Sequence, residues 1–163
     1  KDEDLNRIIQ AVKQHTGDKP VLVKIAPDLE DIQIKSIVDT ARSGGCAGIV
    51  ATNTTTARPE EDGIMSETGG LSGEPLNNRS TEVIRLIADH TDGNWPIIGV
   101  GGISNSDDAW EKITNGACLV QIYSTMVFNG AGAIKEIVNG LDKKLKSKGM
   151  PKLEEAVGLA RSQ

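Results

Sequence analysis

The feature that most constrains this chain is a repeated alternation of short aliphatic runs with segments of helical periodicity. The runs are residues 21–26 (VLVKIA), 47–52 (AGIVAT), 96–100 (PIIGV) and 117–123 (ACLVQIY). Uninterrupted aliphatic runs are the mark of parallel strands covered on both faces. Leu5, Ile8, Ile9 and Val12 recur at helical spacing ahead of the first run, and Gly17 closes that helix. Ile34, Ile37, Val38 and Ala41 line a helix ended by Gly44-Gly45. Ser80 or Thr81 is expected to cap a helix through Val83, Ile84 and Ile87, and further helices are expected over 107–115 and 131–146. Residues 53–78 are polar, Gly-rich and without periodicity. Strand–helix alternation predicts a parallel sheet with right-handed crossovers. Two α/β architectures fit: an open doubly wound sheet, or half of an eight-stranded barrel. A whole barrel needs about 250 residues, so 163 residues with four βα units would be half of one.

Composition narrows the function. The net charge is −5, and the aromatic residues are two Trp, one Tyr and one Phe. Nucleic-acid binding needs a basic footprint and stacking platforms, and both are missing. Cys46 and Cys118 cannot form a disulfide framework and read as free thiols in apolar surroundings. No apolar stretch approaches the roughly 20 residues of a membrane span. The charged opening Lys1-Asp2-Glu3-Asp4, without a Met, reads as the interior of a longer gene product rather than a signal peptide.

The chemically unusual residues sit at strand ends: Lys24, Thr52-Asn53, Gly101-Gly102 and Tyr123-Ser124. Ligands bind at the carboxyl ends of parallel strands in both architectures, so these ends are expected to converge on one site. An unpaired ammonium at Lys24 would be costly to bury. It reads either as a strand lysine paired with a carboxylate or as a fixed cation beside a reducible ring. Gly101-Gly102 reads as a tight turn or as an anion-binding loop whose following helix adds its dipole. Asn53, Thr54 and Thr55 suit a small polar planar substrate, or ordinary turn chemistry. Glu60-Glu61-Asp62 reads as a solvated loop, and His15 and His90 as residues near helix ends. Ser72 is not in a nucleophile elbow, and Ser72-Gly73 is better suited to a backbone contact with a cofactor.

Residues 21–29 (VLVKIAPDL), 52–55 (TNTT) with Arg58, 67–76 (ETGGLSGEPL) with Ser80-Thr81, 96–103 (PIIGVGGI) and 116–124 (GACLVQIYS) together resemble the class 2, quinone-linked dihydroorotate dehydrogenases. The resemblance implies that residues 1–163 form a partial FMN-binding domain, the last four units of a (β/α)8 TIM barrel. It implies FMN contacts at Lys24, Thr52, Ser72, Gly73, Gly101, Gly102, Tyr123 and Ser124, and contacts to dihydroorotate or orotate at Asn53 and Thr54. It further implies oxidation of dihydroorotate to orotate in pyrimidine biosynthesis, with a quinone as final acceptor. The family's catalytic serine base and its quinone-tunnel helices match nothing in this chain. The chain alone is therefore expected to be soluble and inactive, and the parent protein peripherally membrane-associated, at a bacterial cytoplasmic face or the mitochondrial inner membrane. Other FMN barrels acting on dihydropyrimidines remain an alternative. So does a non-catalytic half-barrel with two unpaired strand edges, which should associate.

Overall fold

The computed structural model describes residues 2–58 and 68–161. The acidic run Glu60-Glu61-Asp62 and Glu67 lie outside the described residues. The elements are α1 (Asp2–Thr16), β1 (Leu22–Ile25), α2 (Asp31–Ser43), β2 (Gly48–Ala51), α3 (Asn77–His90), β3 (Ile97–Val100), α4 (Ser106–Thr114), β4 (Leu119–Gln121), α5 (Ser124–Asn129) and α6 (Gly132–Ser147).

The four strands are parallel and lie in the order β1-β2-β3-β4. A doubly wound sheet reverses its strand order at a switch point. Here each strand is added beside the last in one direction, so the winding is that of a barrel, opened into a four-stranded half. Helices pack one face. Ile25, Ile49, Ala51 and Ile97 from the strands meet Ile34, Val38 and Ala41 of α2 and Val83, Ile84 and Ile87 of α3 in one core. A second core joins α4 to α6 through Ala109, Ile113, Ile137 and Leu141, closed by Ala156.

The opposite sheet face carries the in-register row Lys24, Val50, Ile98 and Leu119. Leu119 is 59% exposed. The aliphatic runs predict strands covered on both faces; along this row Val50 is buried and Ile98 half-buried, and the two ends lie open among the described residues. Lys24 is accordingly exposed and meets no carboxylate among the described residues.

Three local expectations change. Ser80 and Thr81 do not cap α3, which starts at Asn77 directly after a 3-10 turn over Glu74–Leu76. Pro75 sets that earlier start, its fixed φ suiting the first helical turn. The two hydroxyls instead sit buried inside the helix, donating back to the Asn77 carbonyl at 3.4 and 3.1 Å. A short helix, α5, follows β4 without a periodic signal of its own. Beyond α6 the chain folds back in two 3-10 turns, where the Gly158 amide donates to Ile113 O (3.1 Å) and Arg161 Nε to Asp89 (2.7 Å).

Cys46 is buried as expected, and burial pushes its thiol up, with Lys13 opposing. Cys118 is half-buried, its Sγ donating to Ile97 O at 3.3 Å. His15 Nδ1 donates to Ala11 O (2.9 Å) within α1, and His90 in the last turn of α3 meets Asp39 at 2.8 Å.

Candidate functional site

The carboxyl ends of all four strands open into one cleft of about 400 Å³, within the range typical of small-molecule sites. Lys24, Thr52, Asn53, Thr54, Ser72, Gly73, Gly101, Gly102, Tyr123 and Ser124 all line it. The ten contacts that the resemblance implies are thus brought to a single concavity, whereas Thr55, grouped with Asn53 and Thr54 in the sequence reading, is buried and turns its hydroxyl to Asp28.

Its walls differ in character. Beyond β2 the ladder persists, with Thr52 N donating to Val100 O (2.8 Å) and Asn53 N to Ile25 O (2.7 Å). Thr52 forms the floor: it is buried, and its hydroxyl donates to Asn53 O at 3.0 Å. Asn53 is exposed with its amide free to face a ligand, and Thr54 is half-buried beside it. A side chain at Gly70 would collide with Thr54, so the Gly69-Gly70 turn can pass only as glycine.

That turn returns the chain to Thr55, which pairs antiparallel with Leu71 through amide bonds of 3.0 and 2.7 Å. The pairing delivers Ser72 and Gly73 to the rim opposite β4, where the Ser72 and Ser124 hydroxyls lie 3.1 Å apart.

Asp28, just past β1, holds the polar turn from behind. Its carboxylate accepts from the Thr55 hydroxyl, the Thr56 amide (2.8 Å) and the Thr56 hydroxyl (3.0 Å). Burial works to raise this carboxyl's pKa. The bonds from Thr55 and Thr56 and the charge of Arg79 outweigh it, so the group sits below its ordinary value. Arg79 meanwhile donates to Pro27 O (3.0 Å) and Leu29 O (3.1 Å), fixing the segment between β1 and α2. Arg58 braces the same turn by donating to Gly69 O at 2.6 Å.

The Gly101-Gly102 loop lies against the start of α3. Gly102 has φ +67°, and a Cβ there would come within 2.7 Å of the Asn77 backbone, so glycine is required by conformation and by space. Ser80 Oγ donates to Gly101 O (3.2 Å), and Asn77 Nδ2 to Gly102 O (2.7 Å). The helix after the loop does not act as expected. The side chain of Asn105 caps α4, accepting from the Asp107 and Asp108 amides (2.7 and 3.0 Å), and those two acids answer the helix dipole. The start of α5, which lines the same cleft, carries no acidic residue in its first turn.

Beneath the loop, Lys112 of α4 is fully buried, its Nζ donating to Asn77 O (2.6 Å) and Thr81 Oγ1 (2.5 Å). Burial lowers this ammonium's pKa to about 8, against the opposing pull of Glu111 and Asp108. Sequence reasoning passed over Lys112, Asn77, Asp28 and Arg79. One signal was present: Lys112 stands on the apolar face of α4 beside Ala109 and Ile113, a place where a lysine needs partners.

A barrel-wound parallel sheet with a ligand cleft at its strand ends and a glycine loop beside it defines a βα-barrel protein of the ligand-binding kind. The dihydroorotate dehydrogenase family model matches residues 1–145, and the chain belongs to that family. It is 46% identical over 168 residues to the dihydroorotate dehydrogenase (quinone) of Trichodesmium erythraeum, covering 97% of this chain and 44% of that one. It is 48% identical over 162 residues to the enzyme of the same name from Cereibacter sphaeroides, covering 97% and 45%. The fold matches a crystal structure of the Eimeria tenella enzyme in complex with ferulenol, with TM-score 0.91 and 32% identity over 100% of this chain and 50% of that one. The ligand-free Eimeria enzyme gives 0.90 and 33%. The chain therefore spans less than half the length of these curated relatives.

Proposed function

We propose that this chain is the flavin-binding half of an enzyme that oxidises dihydroorotate to orotate in pyrimidine biosynthesis and passes the electrons to a quinone. The observation that carries the reading is the convergence of ten residues, from four strand ends and one returning loop, on a single cleft in a member of this family. The cleft fits FMN: side-chain-free glycines line one wall, paired hydroxyls the rim, and an exposed ammonium the sheet face.

FMN, when bound, supplies the hydride-accepting ring. Lys24 offers a fixed positive charge where negative charge would gather on that ring. Gly101, Gly102, Tyr123 and Ser124 hold the phosphate end, with Ser72, Gly73 and Thr52 closing around the cofactor. Asn53 can donate and accept at once through its amide and Thr54 adds a hydroxyl, so together they orient a planar imide such as dihydroorotate. We assign the proton-accepting serine, and the helices that meet quinone and membrane, to the length that the relatives have beyond the matched part. Among the described residues no helix is long and apolar enough to cross a membrane.

The test is a visible spectrum of the chain with FMN, beside that of a version extended to the length of its relatives. A perturbed flavin in the extended form, bleached by dihydroorotate, is the expected result. Flavin binding without bleaching would leave the fold and point to another dihydropyrimidine; no flavin in either form would overturn the reading.

A further inference from the structure

We propose that Lys112 is a positioning residue for the phosphate loop, acting through Asn77 to aim the Ile103 backbone amide into the cleft beside the Gly102 amide that Ser80 orients. The proposal rests on the flavin reading above for the identity of the anion. The geometry itself does not depend on that reading.

A buried ammonium is tolerated only when its protons are taken up by acceptors. Lys112 Nζ reaches three: Asn77 O (2.6 Å), Asn77 Oδ1 (3.4 Å) and Thr81 Oγ1 (2.5 Å). No carboxylate is in salt-bridge contact with it among the described residues, so the cation is spent on Asn77 and Thr81. Its charge settles which way the Asn77 amide faces. The oxygen turns to the ammonium, because the reversed amide would set NH2 against NH3+. The nitrogen is then left for Gly102 O, where it donates at 2.7 Å.

Each carbonyl held in this way aims the next amide. In a trans peptide the C=O and N–H of one plane point in opposite directions. Asn77 draws the Gly102 carbonyl towards α3, so the Ile103 N–H turns away from α3. Ser80 draws the Gly101 carbonyl the same way, and the Gly102 N–H follows. Neither amide has an acceptor among the described residues, and Gly101, Gly102 and Ile103 line the cleft. Two successive N–H groups facing one concavity make an anion-binding nest. Lys112 is too deep to touch the anion, yet its charge fixes, through Asn77, the orientation of one of the two amides that would.

The experiment compares FMN with riboflavin, which lacks only the phosphate, on the protein extended to the length of its relatives and on its Lys112→Met and Asn77→Asp variants. The aspartate keeps an acceptor for Lys112 but has no donor for Gly102, so it cuts the link with the buried cation still paired. Binding is read by flavin fluorescence, and loop order by 15N relaxation at Gly102 and Ile103 in the unliganded proteins. The expected result is an FMN preference that falls about fivefold in both variants, the worth of one hydrogen bond. Riboflavin affinity should be unchanged and the order parameter at the Ile103 amide should drop, with that at Gly102 as the internal reference. If both variants keep the FMN preference, Lys112 has no positioning role and the flavin reading stands. An extended wild-type protein with no preference for FMN removes the flavin reading, and relaxation then decides alone: unchanged order at Ile103 in the variants overturns the role of Lys112. Should Lys112→Met fail to fold, Asn77→Asp gives the same readouts.

Discussion

The hydroxyls of Ser72 and Ser124 lie 3.1 Å apart although 52 residues separate them in sequence. Ser72 arrives on the loop that pairs with Thr55, and Ser124 opens α5 after β4. The contact joins the second and fourth strand ends across the mouth of the cleft, so the rim closes through these two side chains. Removing either one frees the other to turn outward. A double-mutant cycle with Ser72→Ala and Ser124→Ala should therefore show non-additive losses of FMN affinity, with a coupling of about 0.5–1.5 kcal/mol. Strict additivity would mean that the two hydroxyls act separately.

Lys24→Ala should separate function from folding. The side chain is exposed and meets no carboxylate among the described residues, so thermal unfolding should change by no more than about 0.5 kcal/mol. In the enzyme at the length of its relatives, turnover should drop at least about tenfold, because a fixed charge at the developing anion is lost. Steady-state kinetics and the potential of the bound flavin check this; an active variant with an unchanged potential refutes the role.

Asp28 makes acid stability depend on the polar turn. Its carboxyl lies below its ordinary value in the folded chain, where bonds from Thr55 and Thr56 and the charge of Arg79 outweigh the effect of burial. A carboxyl depressed by folding contributes stability above its unfolded pKa of 3.8 and loses it as pH falls through the folded value. The stability gap between wild type and Asp28→Asn should therefore be full at neutral pH and shrink below about pH 4. Urea unfolding across that range measures it. Asn53 and Thr54 sit on the same turn, so the variant should also weaken orotate binding in the extended protein.

Lys112 gives a second rise of stability with pH, in the alkaline range. Its folded pKa is about 8 against an ordinary 10.5, so between these values the unfolded chain binds the extra proton. Stability from this group therefore rises with pH through that window. Relative to Lys112→Met, the wild type should gain up to about 3 kcal/mol from pH 8 towards 10.5. Paired denaturation curves test it, and a constant difference would show that the ammonium is not held in a dry site.

The architecture was legible because its determinants are local. Each aliphatic run became a strand, and the glycines after β3 and the polar residues after β2 fell where strands must end. The resemblance then placed ten contacts, all of which line one cleft. The start of α3 was misjudged because Ser80 and Thr81 have the composition of caps, while Pro75 had already begun the turn three residues before α3. One reading of Gly101-Gly102 lent the dipole of α4 to an anion; only the bonds from the Asp107 and Asp108 amides to the Asn105 side chain show that this end is already capped.

By itself, then, the sequence determined strand and helix periodicity, the parallel alternation and the chemistry offered at each strand end, since these depend on residues a few positions apart. Tertiary structure alone decided that the strands wind in one direction, that Lys24 stands on an open sheet face, and that Lys112 is buried against Asn77, 35 residues away. Such relations depend on which surfaces meet once the chain packs. Burial and hydrogen-bond partnership belong to pairs of distant residues, and no local pattern records them.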